Sequence, residues 1–236
     1  MIAQFALRLI CGMSLMWSLM PRTQVSVGFF RIQMLLAMGL GTLAALTFGE
    51  LAATPDAVPL IATSLGPPLC IVLAAAAFLG SGTWTLGFRR AGSGFVFGIL
   101  LLAMALLIGS TTSSAGWSEG SAWLVAASEL ATAASLGGAM TRMLLGHWYL
   151  TAPTMAIQPL SRLNGQFGVA LGVRLILSAL ALAQSHALLE GGTPMIWLTL
   201  RWVAGILGPL LLVWMVWRIL KYKNTQSATG VLFVGV

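Results

Sequence analysis

Apolar residues run along this chain in long blocks separated by short polar interruptions. A helix of about 20 apolar residues crosses roughly 30 Å of hydrocarbon. Blocks near that length recur at 4–20, 28–48, 58–80, 91–109, 121–143, 167–189 and 194–217. They predict seven full crossings, hence an all-α, polytopic transmembrane helix bundle. An eighth block begins near Thr229 and runs to Val236, too short to span. It predicts a truncated eighth helix. Such a helix would leave carbonyls unpaired in lipid, so a chain continuing past Val236 is expected. Residues 1–236 together read as a single transmembrane domain. The first block lacks an A-x-A-like cleavage site and reads as a retained helix.

The polar interruptions divide by charge. Arg22 and Arg31 follow the first block, Arg89 and Arg90 the third, and Arg142 and Arg162 flank or occupy the connection after the fifth. Arg218, Lys221 and Lys223 follow the seventh. The connections after the second, fourth and sixth blocks carry Glu50 with Asp56, Glu119, and Glu190, with no lysine or arginine. The positive-inside rule then predicts an N-terminus outside and the basic connections in the cytoplasm. It points to an energised membrane such as the bacterial inner membrane. Most connections are short, which makes sequential helices antiparallel neighbours. The exception is 144–166, where His147, Trp148, Tyr149, Pro153 and Pro159 predict a cytoplasmic interfacial connection.

Composition agrees with this reading and narrows the partners. Apolar residues are 58% of the 236 and charged residues only 7%, against about a quarter charged in soluble domains. Lipid is therefore the expected solvent of the outer surface. The net charge of +7 belongs to the basic connections. No nucleic-acid-binding pattern accompanies it, and no nucleic-acid partner is expected. Cys11 and Cys70 lie within apolar blocks and read as small buried hydrophobes.

Four ionisable residues sit well inside the blocks, away from their ends: Arg8, Glu129, Arg174 and Arg201. Such groups are costly in lipid and normally face protein or a polar cavity. With the predicted orientation, Arg8, Glu129 and Arg201 share a layer in the outer half of the membrane, with His186 close to it. These four form the candidate proton, quinone or ion site. Arg174, Ser178 and Ser185 recur at helical spacing and form a secondary polar stripe. Gly66, Pro67 and Pro68 fall near the middle of the third block, where missing amide donors predict a helix break.

Several chemistries lack their residues. The two histidines, His147 and His186, are predicted near opposite surfaces, so a bis-histidine haem is not expected. No cysteine spacing suits an iron–sulfur cluster, and no metal site, P-loop or G-x-S-x-G elbow is present. Three readings stay open. The first is a haem-free membrane subunit of a respiratory or electron-transfer complex, with other membrane or peripheral subunits as partners and quinone near the outer face. In helix number and lack of haem this layout resembles the anchor subunits of the dimethyl-sulfoxide-reductase type, without a shared motif. The second is a secondary transporter or ion channel using Glu129 and a broken third helix. The third is a structural assembly subunit.

Overall fold

The computed structural model describes residues 1–53, 58–59, 64–110, 112–113, 119–152, 155–185 and 192–235. The described residues form an all-α bundle of long apolar helices, as the block pattern predicts. Six of these helical stretches are long and apolar enough to cross a membrane: Ile2–Leu19, Val27–Glu50, Gly66–Thr85, Arg89–Gly109, Gln158–Ala183 and Met195–Lys221. The predicted fifth crossing lies within a longer helix outside these six. Serine, threonine and glycine, together with Glu129, dilute its apolar content. The chain divides into two compact units, Met1–Gly137 and Gly138–Val236.

In the first unit, α1 (Ile2–Leu19), α2 (Val27–Thr47), α3 (Gly66–Thr85) and α4 (Arg89–Gly109) pack on one another, followed by the first part of α5 (Glu119–Thr151). The core is aromatic and aliphatic. Phe30 stacks on Trp84 with ring centroids 4.4 Å apart, and Phe29 meets Phe30 edge-on. Gly92 is small because Trp84 occupies its side-chain space; an added Cβ would lie 2.7 Å from the indole.

Gly66, Pro67 and Pro68 do not break a helix. They begin one: α3 starts at Gly66 with proline in its first turn. The amide that proline lacks has no intrahelical acceptor there, so the substitution is harmless. The apolar run at 58–80 joins two different structures. Val58–Pro59 is a short strand (β1) paired antiparallel with Thr112–Ser113 (β2), and the helix follows it.

That strand pair brings the connection after α2 against the connection after α4. At the opposite ends of these helices, Arg89 Nη1 donates to the Arg22 carbonyl at 3.0 Å, joining the connections after α1 and α3. The basic connections of this unit thus meet at one end and the acid-bearing ones at the other.

The second unit holds the rest of α5, then α6 (Gln158–Ser185), α7 (Gly192–Trp202), α8 (Gly208–Lys221) and α9 (Thr225–Val234). Most of 144–166 is helical, because α5 runs on to Thr151 and α6 begins at Gln158. The Tyr149 hydroxyl donates to the Ala156 carbonyl and closes the short connection between them. Burial pushes the Tyr149 phenol up to about 12.

A π-helical turn at Val203–Leu207 links α7 to α8. Pro209 explains it. Proline cannot donate to a carbonyl four residues back, and the widened turn lets Gly208 N–H reach Val203 O instead. The segment predicted as a truncated crossing is α9. It starts at Thr225, capped by Asn224 accepting from Ser227 N–H, and buries Ala228, Thr229 and Leu232. Thr229 Oγ1 donates to Gly146 O of α5 at 2.9 Å, so α9 is a packed part of the second unit.

Candidate functional site

Within the first unit the structure brings together two of the four predicted site residues. Arg8 Nε donates to Glu129 Oε2 at 2.7 Å and Arg8 Nη2 to Glu129 Oε1 at 2.8 Å. This two-pronged geometry is the strongest form of a guanidinium–carboxylate contact. The side chains are 25% and 19% exposed, so most of their surface is away from the outside.

The backbone beneath the pair explains how it is held. One turn on from Arg8 stands Gly12, and one and two turns on from Glu129 stand Ala133 and Gly137. A Cβ on Gly12 would lie 1.8 Å from Ala133 O, and one on Gly137 would lie 2.2 Å from Gly12 C. Helices α1 and α5 therefore touch backbone to backbone. Going from Arg8 to Gly12 follows Glu129 toward Gly137, so the two helices run parallel. An α1-to-α5 path through three antiparallel steps and a fourth requires that direction.

The other predicted residues are placed differently. Arg201 lies in the last turn of α7 in the second unit and is exposed, with no hydrogen bond or ion pair among the described residues. His186 lies outside the described residues. Arg174 and Ser178 lie half-buried on α6, and Ser185 is its last residue.

A second polar centre was not legible as such. Arg142 reads in the sequence as a connection charge, yet it is fully buried. Its Nη1 donates to Asn164 Oδ1 at 2.7 Å, and Asn164 Nδ2 donates to Val213 O at 3.0 Å. The guanidinium carbon lies 3.9 Å from the Phe167 ring centroid. Arg142 Nε and Nη2 have no acceptor among the described residues. One contact thus ties α5, α6 and α8. The missed signal was Asn164, a neutral polar residue between Arg162 and Gln166 just ahead of the sixth apolar block.

Chemically, the Arg8–Glu129 pair is a closed ion pair, and the Arg142 cluster is a cation held by a neutral amide and an aromatic face. Among the described residues no three histidine, cysteine or acidic side chains gather as metal ligands would. Cys11 and Cys70 are free and buried.

The fold defines a class: an all-α bundle with several long apolar helices, the architecture of a multi-spanning membrane protein. No protein family, curated protein or solved structure matches the chain.

Proposed function

We propose that the chain is a haem-free integral membrane subunit of a larger assembly, of the respiratory or electron-transfer kind. The carrying observation is uneven burial. In α1 56% of the span is buried, whereas the α6 span is 11% buried and Met195–Lys221 is 17% buried. Arg201 stands in that last stretch, exposed. A guanidinium facing hydrocarbon costs about 2.5–3.5 kcal/mol at a helix centre and less toward an end. Arg201, about two turns in from one end, carries part of that cost, which favours a protein partner over lipid there. The closed Arg8–Glu129 pair supports an anchoring role, because a carboxylate gripped at both oxygens is poorly placed to relay protons.

In this reading the N-terminus faces outside, the chain makes seven crossings, and the membrane is the bacterial inner membrane. The gathering of Arg22 and Arg89 at one end of the first unit supports that orientation. Quinone would bind near the outer face, where the exposed Arg201 guanidinium can donate hydrogen bonds to its carbonyl oxygens.

The test is isolation from native membranes in mild detergent, with sizing, subunit mass spectrometry and quinone extraction. A complex with redox subunits in fixed stoichiometry and bound quinone is expected. Recovery of the lone chain, even after cross-linking in the membrane, overturns the reading. The transport reading has one observation behind it, the π turn around Gly205 in a long apolar helix. Solute flux in vesicles holding only this chain would select it.

A further inference from the structure

The first unit has a surface feature that neither ion pairing nor helix packing uses. An apolar groove of about 480 Å³ runs along α4 and is lined by Ala76, Ala91, Gly94, Phe95, Gly98 and Ile99. Ala91 to Ile99 covers about 12 Å along the helix axis. Gly94 and Gly98 are exposed, and a Cβ added at either would meet nothing within 4 Å. Glycine here is not required by a neighbouring helix of this chain, although it weakens a helix relative to alanine. Empty space beside a bare backbone on the outer surface suits a close-lying hydrocarbon chain.

The groove has a charged head. Arg90, Gly94 and Gly98 are spaced by four, so Arg90 stands directly above the two glycines. Helical side chains lean toward the N-terminus, which carries the Arg90 guanidinium to the end of α4, away from the apolar depth. Arg90 is exposed and has no hydrogen bond or ion pair among the described residues. Next to it, Arg89 is held by the Arg22 carbonyl.

A second cation lies against α4. The Arg22 guanidinium lies 4.7 Å from the centroid of the Phe97 ring. Phe97 precedes Gly98 in α4 and is 49% exposed. Arg22 Nη2 and Nε point at the Ser18 and Trp17 carbonyls at the end of α1; its Nη1 has no acceptor among the described residues. Thus Arg90, exposed, and Arg22, half-buried, both stand toward the N-terminal end of α4.

The described residues form no ion pair with either cation. Glu129 is taken by Arg8, and Glu50 follows the far end of α2. An anion from outside the chain would match these two guanidiniums. A ligand that matches both halves has an anionic head and a hydrocarbon tail.

We propose that this groove is a binding site for one anionic glycerophospholipid, with its phosphate between Arg90 and Arg22 and an acyl chain along Gly94 and Gly98. Zwitterionic phospholipids carry their own cation beside the phosphate, which weakens the pull of two guanidiniums. The site does not depend on the partners or electron-transfer role proposed above.

The full chain, purified in mild detergent and exposed to phosphatidylglycerol or phosphatidylcholine, can be weighed intact by native mass spectrometry. Retention of one phosphatidylglycerol at least fivefold above phosphatidylcholine is expected. Arg90→Gln should abolish that preference, and Arg90→Lys should restore part of it. Gly98→Leu, which fills the groove, should lower retention of phosphatidylglycerol by a similar factor; helix content by circular dichroism serves as the folding control. Inorganic phosphate at millimolar concentration should neither bind measurably nor displace the lipid. Equal retention of both lipids, unchanged preference in folded Arg90→Gln, or displacement by inorganic phosphate alone would each overturn the proposal.

Discussion

Arg8 and Glu129 stand 121 residues apart in the chain and share two hydrogen bonds of 2.7 and 2.8 Å. Their helices meet so closely at Gly12 and Gly137 that no other residue fits between the backbones. The ion pair and the glycine contact are one device. The close approach brings the charges within reach, and the charges fix the register of the approach.

This coupling predicts a non-additive mutant cycle. Glu129→Leu leaves the Arg8 guanidinium without a counter-charge, and Arg8→Met leaves the carboxylate alone. Removing one partner of a buried pair costs about 3–5 kcal/mol, whereas replacing both can be nearly neutral. Since both side chains keep some exposure, roughly 2–4 kcal/mol is expected for each single variant here. The double variant Arg8→Met with Glu129→Leu should recover most of it. Thermal unfolding in detergent, followed by circular dichroism, measures all four proteins. Single effects that simply add would sink the claim that the two residues act as a pair.

The glycine contact makes a sharper steric prediction. Gly12→Ala places a methyl group where Ala133 O already sits, at 1.8 Å. Because the obstacle is backbone, no rotamer change relieves it, and the helices must separate. A loss of about 1–3 kcal/mol is expected from such overpacking. Gly94→Ala, with nothing within 4 Å, is the matched control and should not lose stability. If Gly12→Ala melts with the parent while the control behaves as stated, α1 and α5 do not touch there.

Much of this fold was legible, and the parts that were not share a cause. Block lengths locate α1, α2 and α4 closely, because lipid demands a fixed apolar length and charge marks the ends. The alternation of Arg22 and Arg89 with Glu50 was also readable; it reappears as connections that meet at opposite ends. Hydropathy is blind to geometry, however. Val58-Pro59 and Gly66–Thr85 are equally apolar, so a strand and a helix merged into one block and the prolines were displaced to its middle. The site shows the same division. Arg8 and Glu129 could be matched by depth, a one-dimensional quantity. Arg142 could not, because its partner Asn164 is uncharged and lies 22 residues on, beyond any helical period.

Arg142 offers a test in the second unit. Buried cations without a carboxylate depend on every neutral contact they have, here the Asn164 amide and the Phe167 face. Asn164→Leu removes the acceptor at 2.7 Å while leaving the guanidinium buried. A loss of about 1–3 kcal/mol follows from an unsatisfied charged donor. Arg142→Met, which removes the cation and keeps a long apolar side chain, should cost less in the Asn164→Leu background than alone. Hydrogen exchange read by mass spectrometry localises the effect, with faster exchange expected in α6 and α8 and none in α1 to α4. Uniform loosening of the whole chain would show that Arg142 has no local role.

The orientation can be tested with cysteines, because Cys11 and Cys70 are both buried and should stay silent toward maleimides in the folded protein. Thr23 and Leu86 are exposed in the connections after α1 and α3, and Gly49 is exposed beyond α2 with free space at its Cβ. Single substitutions Thr23→Cys, Leu86→Cys and Gly49→Cys therefore report on the two ends of the first unit. In intact cells a membrane-impermeant maleimide should label Gly49→Cys at once. Thr23→Cys and Leu86→Cys should react only after the membrane is permeabilised, because arginine-bearing connections are retained on the cytoplasmic side. The reverse pattern would keep the up-and-down path but turn the protein over. Labelling of Thr23→Cys and Gly49→Cys from the same side is the more damaging result, because α2 would then not cross the membrane at all.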